Sequence, residues 1–462
     1  MNIKHLLLNI KKTTHSFEVS GLSLNSKTLQ KGDVFIALQG EKNHGSEYID
    51  NAIENGCIAV LIEDKEIDCT VPTIEIENLK AKLSTLAENF YTHAKNVDLI
   101  AVTGTNGKTS VSHFISQLLS SLKIKNGVIG TLGISSSDKK TINTTPDIFT
   151  IYRTLQDYSE QGIEIAIIEA SSHALIQNRL EGLSFIQGIF TNLTQDHLDY
   201  HQTMDNYRDA KGKLFESALT TKSIINRDDD NHDYFLNIAA DKGPITFGIS
   251  DLDLFKSSEK GFICQLNNFV FELPLVGKFN LSNALAAYTS LSCMGHSDES
   301  LIPLLAKLSP PPGRMQQLQK SNIWVDYAHT PDALFNALVT FKTHYPEFKI
   351  RVLFGCGGDR DKTKRQIMGK IASENADSII LTNDNPRGES PEKIIDDILG
   401  GIKVENDVQV ILDRKHAIET AVKTLGEDEV LLIAGKGHET TQTIGDQIFQ
   451  FSDIEVALDA FI

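Results

Sequence analysis

The stretch Gly104-Thr105-Asn106-Gly107-Lys108-Thr109-Ser110 follows a continuous apolar run, Asp98 to Thr103, and leads into apolar residues at Val111, Phe114, Ile115, Leu118 and Leu119. A buried strand, a glycine loop and an amphipathic helix in that order suit a triphosphate such as ATP. Glycines let backbone N–H groups approach the phosphate oxygens, and the helix N-terminus adds a favourable dipole. Lys108 is then placed for the β- and γ-phosphates and the Thr109 hydroxyl for Mg²⁺. The full spacing Gly-x-x-x-x-Gly-Lys-Thr would put a glycine where this chain has Val102. An ordinary helix start is the competing reading, and the strand-loop-helix context favours the nucleotide.

Glu169 closes a second apolar run, Ile165 to Ala170. A carboxylate at a strand end is easily aimed at Mg²⁺ near phosphates; a solvated glutamate is the alternative. His197 lies in Asp196-His197-Leu198-Asp199-Tyr200-His201, a run too polar for a core strand, and an ordinary loop histidine is its alternative. Lys211, inside Asn206-Tyr207-Arg208-Asp209-Ala210-Lys211-Gly212-Lys213, reads by itself as a solvated helix lysine.

These groups need an α/β framework. A small unit of strand, turn, strand, helix and strand is expected from Thr28 to Glu63, with Asp33 to Leu38 as a strand. Further strands are expected at Asp98 to Thr103, Glu164 to Ala170 and Phe185 to Asn192, in the alternation of a mainly parallel sheet. After Pro310-Pro311-Pro312-Gly313, a hinge by composition, strands are expected near Ile323 to Tyr327, Ile350 to Gly355, Ser378 to Thr382, Val408 to Leu412 and Val430 to Ala434. That last third reads as a Rossmann-like sheet with ligands off the carboxyl ends of its strands. The expected domains are 1–96, 97–312 and 313–462, three parts for a chain of 462 residues.

Composition narrows the classes. Hydrophobic residues make up 40% and charged residues 23%, as in an ordinary globular protein. A net charge of −17 argues against nucleic-acid binding, which needs a basic face. No apolar run approaches the ~20 residues that cross a bilayer, and no signal peptide is read at the amino terminus, so a cytoplasmic address and no membrane partner are expected. The five cysteines are scattered, without a Cys-x-x-Cys pair, which predicts reduced thiols rather than disulfides or a zinc site.

The phosphate loop, Glu169-Ala170-Ser171-Ser172-His173, the run Thr191 to His201, Asp326-Tyr327-Ala328-His329-Thr330-Pro331, Gly357-Gly358-Asp359-Arg360-Asp361 and Asp384-Asn385-Pro386-Arg387 occur in one order. Together they resemble the Mur ligase family, from Leu24 to Glu439, and within it the branch that forms UDP-N-acetylmuramoyl-tripeptide. The resemblance implies a UDP-binding first domain, an ATPase-like centre and a mobile third domain that brings the amino acid. It implies activation of a carboxylate by ATP to an acyl phosphate, which an amine then attacks, with charge neutralised by cations and Mg²⁺.

By the same resemblance His197 joins a Mg²⁺ site, and Lys211 is carbamylated, turning a cation into a carboxylate-like ligand. Gly104, Thr105, Asn106, Gly107, Lys108, Thr109 and Ser110 would hold ATP together with Asn280, Asn283, Arg314 and Asp326. Leu24, Ser26, Glu41, Lys42 and Asn43 would hold UDP, and Asn143, Thr144, Thr145, Ser171, Gln177 and Arg179 the muramoyl-dipeptide. The chain is expected to act as a monomer.

The amino acid implied is meso-diaminopimelate, assigned to Arg387 with Arg360, Asp384, Asn385, Pro386, Gly435 and Glu439. It differs from lysine by one far carboxylate, which an arginine fork can bind bidentately. Glu439 is placed by resemblance to accept the far ammonium. Asp384, Asn385 and Pro386 would fix the loop. The alternative is a lysine-adding or other ligase of the family or fold, such as a folylpolyglutamate synthetase or another Mur step; such a sibling is expected to lack Asp384-Asn385-Pro386-Arg387. An inactive nucleotide-sugar-binding paralogue would be expected to have lost Lys108, Glu169, His197 or Lys211, and all four are present.

Overall fold

Apolar runs without alternation become strands covered on both faces, as parallel sheets require. The computed structural model describes residues 1–40, 43–63, 67, 69–135, 143–216, 219–319 and 321–461. The chain divides into two units, residues 1–101, 124–186 and 216–221 in one and residues 102–123, 187–215 and 222–462 in the other.

In the first unit a four-stranded parallel sheet places Gly21–Ser23, Asp33–Ala37, Ala59–Ile62 and Thr73–Glu75 side by side. Every residue of Asp33–Ala37 is buried, and the helix Ile49–Glu54 seals one face, packing Ile49 and Ala52 on Phe35, Val60 and Ile62. The same unit holds the neighbouring strands Ile165–Glu169, Asn126–Gly130 and Gly133–Ile134. The first two run parallel and the last returns antiparallel. The strand Asp98–Thr103 ends just beyond this unit's boundary, at the start of the phosphate loop.

The second unit opens with that loop and the helix Lys108–Ser121, whose Val111, Phe114, Ile115, Leu118 and Leu119 are all buried, as their spacing demands. Its last part is a six-stranded sheet in the order Gln316–Gln317, Ile323–Asp326, Glu429–Ala434, Lys349–Phe354, Ser378–Leu381, Asp407–Val410. All pairs but the first are parallel. Along Glu429–Ala434, Val430, Leu432 and Ala434 join one core while Leu431 and Ile433 join the other. The first core is closed by helices Pro331–His344, Thr363–Asn375 and Pro391–Leu399, the second by Arg414–Lys423 and Asp453–Asp459. Truncating one such residue, for example Leu432→Ala, should cost about 2–5 kcal/mol.

The strands given definite ends form within one or two residues of them, whereas the first strand of the unit expected from Thr28 forms earlier, at Gly21–Ser23. Among the elements outside those expectations are two antiparallel features. One is a three-stranded antiparallel sheet, Leu254–Ser258, Gly261–Leu266 and Phe269–Leu273, turned by Asn267 and Asn268 at φ 48° and 70°. Paired left-handed asparagines suit a tight hairpin turn. The other is the hairpin of Thr441–Ile444 and Gln447–Gln450. The five cysteines are free thiols, as expected. Among the described residues, no helix is long and apolar enough to cross a membrane.

Candidate active site

The phosphate loop is shaped by the run that begins at Thr191. Thr105 N donates to Asn192 O at 2.8 Å, Asn106 N to Asn192 Oδ1 at 2.9 Å, and Thr191 Oγ1 to Asn106 O at 2.6 Å. Gly104 sits at φ 152° against Thr191, where a Cβ would collide with the threonine hydroxyl. Gly107, at φ 87°, faces Asn283, whose side-chain oxygen a Cβ there would also meet too closely. Val102 lies inside the strand with 0% exposure, so the sharp backbone turn falls on Gly104 and position 102 needs no glycine. Thr191 and Asn192 cradle the loop, a contact between segments that spacing along the chain does not reveal.

Lys108 donates to Gly104 O and Thr105 O, each at 2.8 Å. Lys211 donates to the same Gly104 O at 2.8 Å and lies 4.2 Å from the centroid of the Tyr207 ring. The solvated helix lysine expected from sequence is therefore wrong, because Lys211 is 1% exposed on the inward face of Met204–Gly212. Burial first, then the neighbouring Lys108 ammonium, hold the Lys211 amine well below the ordinary lysine range, with Asp196 opposing.

His197, at φ 54°, keeps its Nε2 at 3.3 Å from Asp196 Oδ2 and is 45% exposed. Burial works against ionisation of Asp196, but His197, His329 and Lys364 together hold its carboxyl below the ordinary range. Lys364 Nζ in turn donates to His329 O at 2.9 Å. Asp196, His329 and Lys364 were not singled out from sequence, although two of them stand inside quoted motifs.

Arg314 brings Nη2 to 3.4 Å from Thr109 Oγ1 and stacks 4.2 Å over the Tyr327 ring. Asp326 accepts from Met315 N at 2.7 Å and Ala328 N at 2.8 Å; burial raises its pKa while Arg314 opposes. Asn280 donates to Val276 O at 3.0 Å, and Asn283 to Asn280 Oδ1 at 3.4 Å. Asn106 also reaches Asp332 at 3.0 Å. Of the residues expected to hold ATP, Asn106, Gly107, Thr109, Asn283 and Arg314 are thus drawn together, and Ser110 is buried in the first turn of the following helix.

In the first unit Glu169 is 1% exposed and accepts from Thr131 N at 3.0 Å and Thr131 Oγ1 at 2.8 Å. Thr131 Oγ1 lies 3.2 Å from Thr144 Oγ1, and Thr145 donates to Glu169 O at 2.5 Å. Ser171 N donates to Thr145 Oγ1 at 3.0 Å; Arg179 donates to Thr145 O at 2.6 Å and to Gln177 Oε1. One polar cluster therefore gathers Thr144, Thr145, Glu169, Ser171, Gln177 and Arg179, with Asn143 exposed at its edge. Ser26 is buried, Leu24 half-buried, and Asn43 donates to Tyr48 at 2.8 Å. Glu41 and Lys42 lie outside the described residues.

The residues expected to hold the amino acid stand at the carboxyl ends of parallel strands, where such sheets bind ligands. Arg387, at φ 50°, donates Nη1 to Gly358 O at 2.8 Å and is half-buried rather than enclosed; Arg360 is exposed nearby, both side chains flanking Gly357. Asn385 donates to Glu439 Oε2 at 3.1 Å, and Asp384 accepts from Asn385 N at 2.7 Å beside Gly435. Pro386 is buried behind Gly358. Two charged residues missed in the sequence brace these loops. Lys436 is 0% exposed and bonds Glu439 and Asn385. Arg365 is 1% exposed and bonds Glu389, holding its carboxyl down at about 2.

Mg²⁺ prefers oxygen donors; within the second unit Thr109 and Asp196 offer them, with the His197 imidazole beside Asp196, and Glu169 is a buried carboxylate of the first unit. Among the described residues, His, Cys, Asp and Glu alone form no group of three that could hold a metal. The oxygen-donor chemistry of Thr109 and Asp196 fits such an ion.

Three family models match the chain: the Mur ligase family, catalytic domain over residues 18–91, the Mur ligase middle domain over 102–291, and the Mur ligase, glutamate ligase domain over 313–437. A curated relative from Coxiella burnetii (strain RSA 493 / Nine Mile phase I), named UDP-N-acetylmuramoyl-L-alanyl-D-glutamate--2,6-diaminopimelate ligase, is 40% identical over 490 aligned positions, covering 100% of both chains. One of the same name from Haemophilus influenzae (strain PittGG) is 38% identical and covers 98% of both. A solved structure of a ligase so named aligns with a TM-score of 0.68 at 33% identity, over 100% of this chain and 98% of that one. Both sequence and fold therefore place this chain in the Mur ligase family.

Proposed function

We infer that the chain is an ATP-dependent amide-forming ligase that adds meso-2,6-diaminopimelate to the D-glutamate of UDP-N-acetylmuramoyl-L-alanyl-D-glutamate, in the cytoplasmic synthesis of peptidoglycan precursors. What carries the reading is the full-length likeness to ligases named for diaminopimelate, together with Arg387 and Glu439 standing on loops joined by the Asn385–Glu439 bond.

The D-glutamate carboxylate attacks the γ-phosphorus of ATP, forming an acyl phosphate and releasing ADP. The free amine of diaminopimelate then attacks the acyl carbon, phosphate leaves, and the amine loses a proton. The chain's own part is positioning and charge neutralisation. Loop N–H groups and Lys108 cradle the phosphates, Asn280, Asn283, Arg314 and Asp326 hold adenine and ribose, and the Thr144–Arg179 cluster orients the dipeptide. Thr109, Glu169, His197 and a Lys211 carbamate are the ligands assigned to Mg²⁺, which when bound neutralises developing phosphate charge. Carbamylation needs a neutral amine, and the environment of Lys211 favours one. Residues 1–96, 97–312 and 313–462 are assigned to UDP, ATP and amino acid respectively, and the chain is assigned as a monomer.

The test is ADP release by purified protein with ATP and Mg²⁺, with both the UDP-linked dipeptide and diaminopimelate and with each left out in turn. Sustained release that requires both substrates supports the reading. Release without the UDP-linked dipeptide, or none with both present, refutes it.

A further inference from the structure

Lys436 follows the strand Glu429–Ala434 between two left-handed glycines, Gly435 at φ 111° and Gly437 at φ 53°, which turn its side chain inward. A lysine enclosed to 0% exposure must keep its ammonium paired, and here two acceptors pair it: Glu439 Oε2 at 2.7 Å and Asn385 Oδ1 at 3.1 Å. Asn385 Nδ2 reaches the same Glu439 Oε2 at 3.1 Å, and Thr443 N donates to Asn385 Oδ1 at 2.9 Å. The result is a closed ring that fixes both Asn385 and Glu439. Glu439 remains 30% exposed, so its carboxylate is anchored from behind while still facing outward.

We propose that Lys436 is a positioning and specificity-determining residue of the amino-acid site. Its ammonium offsets the charge of Glu439, so that the site rewards a far end carrying ammonium and carboxylate together over one carrying ammonium alone. The proposal rests on the assignment of diaminopimelate as the amino acid. Lysine brings a bare cation towards a glutamate already paired with Lys436, with Arg387 and Arg360 on the facing loops. Diaminopimelate brings the same cation with a carboxylate that Arg387 can take. Without Lys436, Glu439 would hold a full unpaired charge and attract lysine's ammonium more strongly.

The experiment measures kcat/KM for diaminopimelate and for L-lysine, with KM for ATP alongside, in the parent enzyme, Lys436→Met, Lys436→Gln and Lys436→Arg. In the neutral variants the ratio of diaminopimelate to lysine use should fall about tenfold or more, with KM for ATP unmoved; Lys436→Arg should keep most of the ratio. Equal losses on both amino acids, leaving the ratio where it was, would overturn the proposal. So would neutral variants that fail to fold while Lys436→Arg folds, since Lys436 would then belong to the framework alone. A parent enzyme that uses neither amino acid would instead sink the functional reading on which the proposal rests.

Discussion

Lys108 and Lys211 direct their ammonium groups at one acceptor, the carbonyl oxygen of Gly104, each at 2.8 Å. Two cations cannot share a buried oxygen without cost, and Lys211, the more deeply enclosed, is the one whose charged form is disfavoured. The phosphate loop thus holds one lysine suited to anionic phosphate beside one suited to reaction with CO₂ as a free amine.

Lys211→Ala should fold, as judged by circular dichroism, and lose most ligase activity, which small added carboxylates should partly restore. A fully active variant would show that no carbamate is needed.

The depressed amine also fixes a pH dependence. Between the lowered folded value and the ordinary 10.5, the unfolded chain holds a proton that the folded chain has lost, so the Lys211 contribution to stability improves as pH rises through that window. Subtracting Lys211→Met from the parent in CO₂-free buffer should expose this rise. A difference flat with pH would mean that Lys211 stays charged when folded.

Lys108→Ala removes a cation from the transferring phosphoryl group and should cut acyl-phosphate formation by roughly 10²-fold or more. ADP release at the parent rate would contradict its assigned role.

Glu389 is held down to about 2 by Arg365, so its contribution to stability is present above 4.5 and is lost as pH falls towards 2. The difference in unfolding free energy between the parent and Glu389→Gln should follow that course. Because Arg365 also donates to Gly357 O at 3.2 Å, Arg365→Ala should raise KM for the amino acid more than KM for ATP.

Much of this arrangement was legible in the sequence where one signal dominates. The strand Asp98–Thr103 and the helix after Gly107 were readable because burial on both faces and helical spacing leave plain patterns. Lys211 was not, since its polar neighbours Arg208, Asp209 and Lys213 disguise an inward face that only tertiary packing defines. Lys436 and Arg365 were not legible for a related reason: Asn385 and Glu389, which help to pair these buried charges, lie far away in sequence, and spacing along the chain carries no trace of them. The partial burial of Arg387 was not legible either: the side chain is half-buried and already commits Nη1 to Gly358 O.

That partial exposure sets the size of the Arg387 effect. Losing the ion pair at a half-wet site costs less than at a sealed one, so Arg387→Ala should lower kcat/KM for diaminopimelate by about a hundredfold while the weak use of lysine changes little. Equal effects on both amino acids would remove Arg387 as the selector.

The most direct measurement supplies equimolar meso-diaminopimelate and L-lysine to the parent enzyme with ATP, Mg²⁺ and the UDP-linked dipeptide, and identifies the products by mass. A diaminopimelate-adding ligase should yield almost only the product carrying the extra carboxyl group. A lysine product in equal or greater amount would contradict that assignment and leave the chain a Mur ligase of another specificity.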